Sequence, residues 1–300
     1  MLLKAATSPA TTSSSTWAGS LASAAVADFI SVMGGASAAA TVFGSGHQFT
    51  FDHTNGIAMP GVVADANIAG FVGEAAPIPV KGLSFDGPRL ERRKFATIVP
   101  FTREIFEHST PNIEAIVRTV LTESLGLATD AALFSDSAGS AIRPPGLLLG
   151  IAPLTPSTAT NPQDAMVADI TVLVSAVAPI GEAVLVAATD QAVALRLRQH
   201  RETYTVLPSA ALAAGTVIAI APNGLASAID AVPRFELASE ATLVMDDAAG
   251  PISTVGTPNV VAAPARSLFQ SDTIALRVIL QVSWGLRSPL AISFLTGASW

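Results

Sequence analysis

The sequence predicts an α+β chain assembled from a long helix, a proline-stiffened β-hairpin and a smaller αβ region. Three observations carry this. Apolar residues recur three and four apart across 110–136. A β-rich stretch over 68–101 is punctuated by Pro77, Pro79 and Pro88 and ends in a basic cluster. Several short strand candidates alternate with helical stretches after residue 160.

The helix is the organising element. Thr110 is a suitable N-cap, and Pro111 occupies a first helical position, where a missing N–H costs nothing. Ile113, Ile116, Val117, Val120, Leu121, Leu125, Ala128, Ala131 and Ala132 follow helical spacing along one face. Glu114 and Arg118 sit four apart on the polar side, acid first. At ~1.5 Å per residue the helix spans roughly 35–40 Å. Gly126 within it costs about 1 kcal/mol relative to alanine, which packing must offset.

Composition narrows the function classes. The 300 residues are 50% hydrophobic and only 13% charged, against about 25% charged in an ordinary soluble domain. Such a chain has little charge to cover its surface, which points to burial against copies of itself. The best apolar window, 167–188, is interrupted by Asp169, Pro179, Gly181 and Glu182 and does not read as a membrane span. The absence of cysteine excludes disulfides, thiolate metal sites and cysteine nucleophiles, and is compatible with cytoplasmic assembly. A net charge of −7 argues against a broad basic face for nucleic acid.

In chain order, residues 1–16 are rich in Ser, Thr and Ala and read as an arm. A short helix is expected over 21–33, with Leu21, Ala25, Val26, Phe29 and Ile30 on one face, ending at Gly34-Gly35. Residues 41–60 read as two short strands joined at Thr54-Asn55-Gly56. Gly44-Ser45-Gly46 lacks the context of a nucleophile elbow. His47 and His53 flank Asp52 without a third metal ligand at suitable spacing. No catalytic, cofactor or metal residue is assigned.

The hairpin of 68–101 has little core of its own and must lie on something else. Its outgoing strand carries Arg89, Arg92, Arg93 and Lys94 around Glu91. These charges suit either acids on another subunit or a solvated, protected edge. Helices are then expected over 164–177 and from Thr189 to about His200, the latter ending in Arg196, Arg198 and Arg201. Strands are expected over 183–187, 204–207, 216–220, 235–237, 242–245 and 274–280. Arg277 needs a partner if covered, and Trp284 and Trp300 read as packing anchors.

The stretch GEAAPIPVKGLSFDGPRLERRKFATIVPFTREIFEHSTPNIEAIVRTVLTESLGLATDAALFSD, with the closing SLFQSDTIALRVILQVSWGLRSPLAISFLTGASW, resembles tailed-phage major capsid proteins of the Hong Kong 97-type fold. The Glu-Ala-Ala-Pro-Ile-Pro entry resembles that family's loop strand. The basic strand leading to Phe101-Thr102-Arg103-Glu104 resembles its return strand and the short helix before the spine. Gln-x-Asp-x-x-Ala-Leu-Arg resembles its closing strands. The similarity is strongest over 69–150 and 265–300.

The resemblance implies an N-terminal arm (1–40), the start of a peripheral domain (41–67), an extended loop (68–101), the peripheral domain with its spine helix (102–150), an axial domain (151–262) and closing peripheral strands (263–300). It implies a structural protein, not an enzyme, without cofactors. Copies would build hexamers and pentamers of an icosahedral shell around double-stranded DNA held without sequence specificity. Scaffold, portal and decoration proteins are possible partners. The location implied is the virion, assembled in the bacterial host cytoplasm. Expected inter-subunit contacts are Lys81, Arg89, Arg92, Arg93, Lys94, Arg103 and Glu104. About twenty residues precede the first expected helix, which fits either a processed form or a separate scaffold. The alternative is an encapsulin-like nanocompartment shell, and a remoter one a serine hydrolase.

Overall fold

The computed structural model describes residues 37–51, 56–59, 71, 87–108, 113–198, 204–229, 233–246 and 250–300. In chain order these form α1 (Ala38–Ser45), β1 (His47–Phe49), β2 (Gly56–Ala58), β3 (Arg89–Glu91), β4 (Arg93–Thr102), α2 (Arg103–His108) and α3 (Ile113–Leu133). There follow α4 (Pro162–Val177), β5 (Val184–Ala188), α5 (Thr189–Arg198), β6 (Val206–Ser209), β7 (Val217–Ile220) and β8 (Leu225–Ile229). The rest are β9 (Arg234–Ala238), β10 (Thr242–Val244), β11 (Ser253–Thr254), β12 (Val260–Val261), β13 (Ala265–Ser267), β14 (Thr273–Leu286) and β15 (Ile292–Leu295). The contacts divide the chain into two compact units, and the division passes through β4, α3 and β14.

One unit holds Phe95–Thr122 and Val232–Leu280. Its frame is the first half of β14, paired antiparallel with β9 from Ala275↔Ala238 to Ile279↔Arg234. The expected alternation of Ile274, Leu276, Val278 and Leu280 is present. Ala275 and Ile279 on the opposite face are buried as well, so both faces are covered here. Arg277 stays exposed and bonds Glu236 across the strand pair. Most of β4, a neighbour of β14, and two short antiparallel pairs, β10–β13 and β11–β12, also lie in this unit.

The other unit holds Ile30–Lys94, Glu123–Ala231 and Gln281–Trp300. Its main sheet runs β15-β7-β5-β6, with β5 and β6 parallel and the other pairs antiparallel. Helices α4 and α5 bury Ala165, Met166, Leu173, Ala192 and Leu195 in one cluster with Leu185, Ala187, Val217 and Ala219 from the sheet. Asn161 caps α4 by accepting from the Gln163 N–H, with Pro162 in the first turn. Asp169 lies on the buried side of α4. It accepts from the Ser157 N–H at 2.6 Å and from the Trp300 indole at 2.7 Å. Trp284 stacks on Phe43 and donates to Pro145 O at 2.8 Å, so both tryptophans anchor packing.

The region 41–60 differs from its local reading. Residues 38–45 are helical, and β1 and β2 do not pair with each other. Strand β1 runs parallel to β8, and β2 pairs antiparallel with β3. The reason is tertiary. Asp130 on α3 is fully buried and accepts from Ser37 Oγ at 2.6 Å, Ala38 N at 3.0 Å, Ala39 N at 2.9 Å and Ser209 Oγ at 2.7 Å. Two of these donors are N–H groups of α1's first turn that lack partners within the helix.

The spine helix itself runs Ile113–Leu133, inside the expected span; the proposed cap Thr110-Pro111 and the helix of 21–33 lie outside the described residues. Ile116, Val117, Leu121 and Leu125 are buried as the spacing predicts, whereas Val120, Ala128 and Ala131 are exposed.

Replacing Asp130 with alanine strands two hydroxyls and two helix N–H groups. Urea unfolding of the unassembled subunit should show a loss on the order of 3 kcal/mol, with a lower midpoint at unchanged slope.

Candidate functional site

The charged strand of the sequence falls on β3, β4 and the start of α2. Leu90 at the centre of β3 is buried against Phe51, Ala226 and Ala228, with Phe49, Ile57 and Met59 around them. Alternation therefore turns Arg89 and Glu91 to the other side. Glu91 is the hub: Arg93 donates to its Oε2 at 2.6 Å, and Arg89 Nε lies 4.0 Å from its Oε1. Arg92 turns instead to Phe51, donating to its carbonyl at 3.3 Å with the guanidinium 5.7 Å from the ring centroid. Lys94 is exposed and has no ion-pair partner among the described residues. Lys81 lies outside the described residues.

In the other unit, Arg103 opens α2 and is tied to Asp272. Its Nε donates to Asp272 Oδ1 at 2.7 Å, and its backbone N–H donates to Asp272 O at 3.0 Å. Asp272 has φ of 44°, a left-handed turn that an aspartate tolerates better than most side chains. The hydrogen bond to Asp272 and its charge hold the guanidinium pKa above its ordinary value. Glu107 adds a pair at 3.9 Å. Glu104 is exposed, with no ion-pair partner among the described residues. The expected contact residues thus divide. Arg89, Arg92, Arg93 and Arg103 have partners within the chain, while Lys94 and Glu104 face outward.

Sequence reasoning missed the second charged group, Arg234, Glu236 and Arg277. Arg234 Nε stands 3.0 Å from Glu236 Oε1, and Arg277 bonds Oε2. Beside it, Arg118 lies over Phe235 with its guanidinium 4.4 Å from the ring centroid. Arg277 lies in the quoted Gln-x-Asp-x-x-Ala-Leu-Arg pattern, but only the β9–β14 register brings Glu236 opposite it.

The candidates for chemistry are engaged separately. Ser45 Oγ donates to Thr41 O at 2.9 Å on its own helix, and His47 Nε2 meets Arg287 at 2.8 Å. Asp52 and His53 lie outside the described residues. Among the described residues no group of three His, Cys, Asp or Glu could hold a metal, and no helix is long and apolar enough to cross a membrane. The surface is instead conspicuous for apolar side chains. Val167, Val172, Val193 and Leu197 in one unit and Ile252, Val255 and Phe269 in the other are all more than half exposed.

The hydrogen bond from Arg277 holds the Glu236 carboxyl below its ordinary pKa. A depressed carboxylate stabilises the fold above its unfolded pKa, and that contribution disappears as pH falls through the folded value. Carboxyl titration by NMR of the unassembled subunit should place Glu236 below a free glutamate, and Arg277→Gln should raise it.

Comparison with known proteins agrees with this arrangement. The chain is similar to the capsid polyprotein of Pseudomonas phage PAJU2, at 28% identity over 100% of this chain and 48% of that protein. It therefore spans about half the length of this curated relative. Its fold is similar to that of a solved structure from Mycobacterium phage Bobi, with a TM-score of 0.64 at 15% identity, covering 94% of this chain and 95% of the other. A structure from Microbacterium phage Oxtober96 gives a TM-score of 0.62 at 17% identity, over 87% and 91% of the two chains. The mixed helix and strand architecture is thus of the Hong Kong 97 type. With the sequence profile of the Phage capsid family matching residues 32–249, the chain belongs to that family.

Proposed function

We propose that the chain is the major capsid protein of a tailed phage or prophage and that copies of it self-assemble, as hexamers and pentamers, into an icosahedral shell around double-stranded DNA. The match of residues 32–249 to the Phage capsid family carries this reading. The charge-poor composition and the exposed valines, leucine, isoleucine and phenylalanine support it, because such a surface gains by being covered. The role is structural, not catalytic. The place of action is the virion, after assembly in the host cytoplasm, where scaffold, portal and decoration proteins are the natural further partners.

In this reading the arm (1–40) and extended loop (68–101) reach neighbouring subunits, and the 151–262 region gathers at the symmetry axes. Each contact is modest, and symmetry repeats it, so stability belongs to the shell. Lys94 and Glu104 are the strongest inter-subunit candidates, because neither has an ion-pair partner within the described chain. Arg89, Arg92, Arg93 and Arg103 would act while holding their internal partners, and Lys81 would act from the loop.

Negative-stain electron microscopy with absorbance at 260 and 280 nm tests the container. Uniform polyhedral particles are expected, and those from infected cells should carry nucleic acid. A protein cargo in place of DNA would favour a nanocompartment, and a small monomer under all assembly conditions would overturn the reading. Reversing Arg92, Arg93 and Lys94 to glutamate should leave a soluble subunit with native circular dichroism but reduce shell yield at least tenfold. Normal particles from that variant would exclude the charged strand as a contact.

A further inference from the structure

Helix α4 has an unusual outward face. Its buried side belongs to the sheet cluster through Ala165, Met166, Leu173 and Val177. A surface helix ordinarily carries charge on the opposite side. Here that side is a stripe of Asp164, Ala168, Thr171 and Ser175, all exposed, flanked by Val167 and Val172 at 55% and 53% exposure. Even the threonine hydroxyl is occupied, donating to Val167 O at 2.6 Å on its own helix. The helix therefore presents a nearly uncharged stripe of mostly small side chains between two exposed valines.

Helix α5 presents the complementary shape. Val193 and Leu197, 53% and 79% exposed, stand one turn apart and form a ridge. Ridges of this i, i+4 kind pack into the grooves of a facing helix. The two side chains are about 6 Å apart along the axis, the same step that separates Ala168 from Val172. Within one chain the two faces cannot meet, because α4 and α5 bury their opposite sides in the same cluster.

We infer that these faces are the two halves of one head-to-tail contact between copies of this chain, with α5 of one copy seated antiparallel on α4 of the next. Charge sets the direction. Asp164 lies in the first turn of α4 and Asp190 in the first turn of α5, whereas Arg196 and Arg198 lie in the last turn of α5. A parallel arrangement would set Asp164 against Asp190. The antiparallel one brings it to the basic end, where Arg196 is exposed. Opposed helix dipoles favour the same direction. Because the two patches differ, the contact is heterologous, and repeating it closes a ring or extends a filament. The inference rests on the shell reading, which calls for rings.

The chain contains no cysteine, so introduced ones report cleanly. Val172→Cys and Val193→Cys, combined in one full-length chain, should give a ladder of covalent oligomers when assembled particles are treated with a mild oxidant or a short bismaleimide. Each single variant should stay monomeric on a denaturing gel. Particles that form normally but give no ladder would overturn the helix pairing and leave the shell reading intact. A dimer from either single variant would overturn the head-to-tail arrangement. As a second measurement, Leu197→Glu should keep native circular dichroism and lose at least tenfold in particle yield, while Leu197→Met should assemble normally. Wild-type yield from Leu197→Glu would sink the proposal. Failure of the unaltered chain to form particles would instead count against the shell reading and this contact together.

Discussion

The buried carboxylate of Asp130 is the point on which one unit of this protein depends. It sits on the long helix, fully covered, and receives four hydrogen bonds. Two come from the first turn of α1, where a negative group meets the positive end of the helix dipole. One comes from Ser209 at the end of β6. The fourth comes from Ser37, whose oxygen also accepts from the Ala40 N–H and so caps α1. A buried charge is tolerable only when so fully paired. Removing any donor leaves the carboxylate less well solvated by the protein. A single side chain thus joins a helix start, a strand end and the long helix.

Gly126 belongs to the same arrangement. A Cβ at that position would stand 3.1 Å from Ser37 Cβ, so the small residue lets the chain approach the helix where Asp130 receives it. The helix accepts a residue worth about 1 kcal/mol less than alanine to permit that approach. Gly146 shows a related constraint: a side chain there would overlap the Ser135 carbonyl, beside the Leu148 N–H to Ser135 O bond that closes the turn after the helix.

The charges of the chain are few, and many of those among the described residues are committed within their own units. Glu91 gathers Arg93 and Arg89, Asp272 holds Arg103, and Glu236 lies between Arg234 and Arg277. Asp169 and Asp130 are buried and fully engaged. Exposed pairs of this kind add little stability in water, but they neutralise one another beside a surface that exposes many large apolar side chains. A family of shell-forming proteins is a natural home for such a surface, since assembly covers it without desolvating many unpaired ions.

Local spacing by itself determined the long helix, helices α4 and α5 and the first half of β14, because each rests on a periodicity or cap within a few residues; the short helix at Arg103 followed only from the family resemblance. The basic cluster was equally local, whereas the fold was implied by the resemblance of the ordered parts to a known family. Local spacing could not determine that 38–45 is a helix, since its cap and carboxylate come together from residues 93 apart. Nor could it pair β1 with β8 or set Glu236 against Arg277, because strand partners are chosen by the packed sheet and not by neighbours in sequence. The outward faces of α4 and α5 were likewise hidden: a valine reads as core until the packed sheet settles which side of the helix is covered.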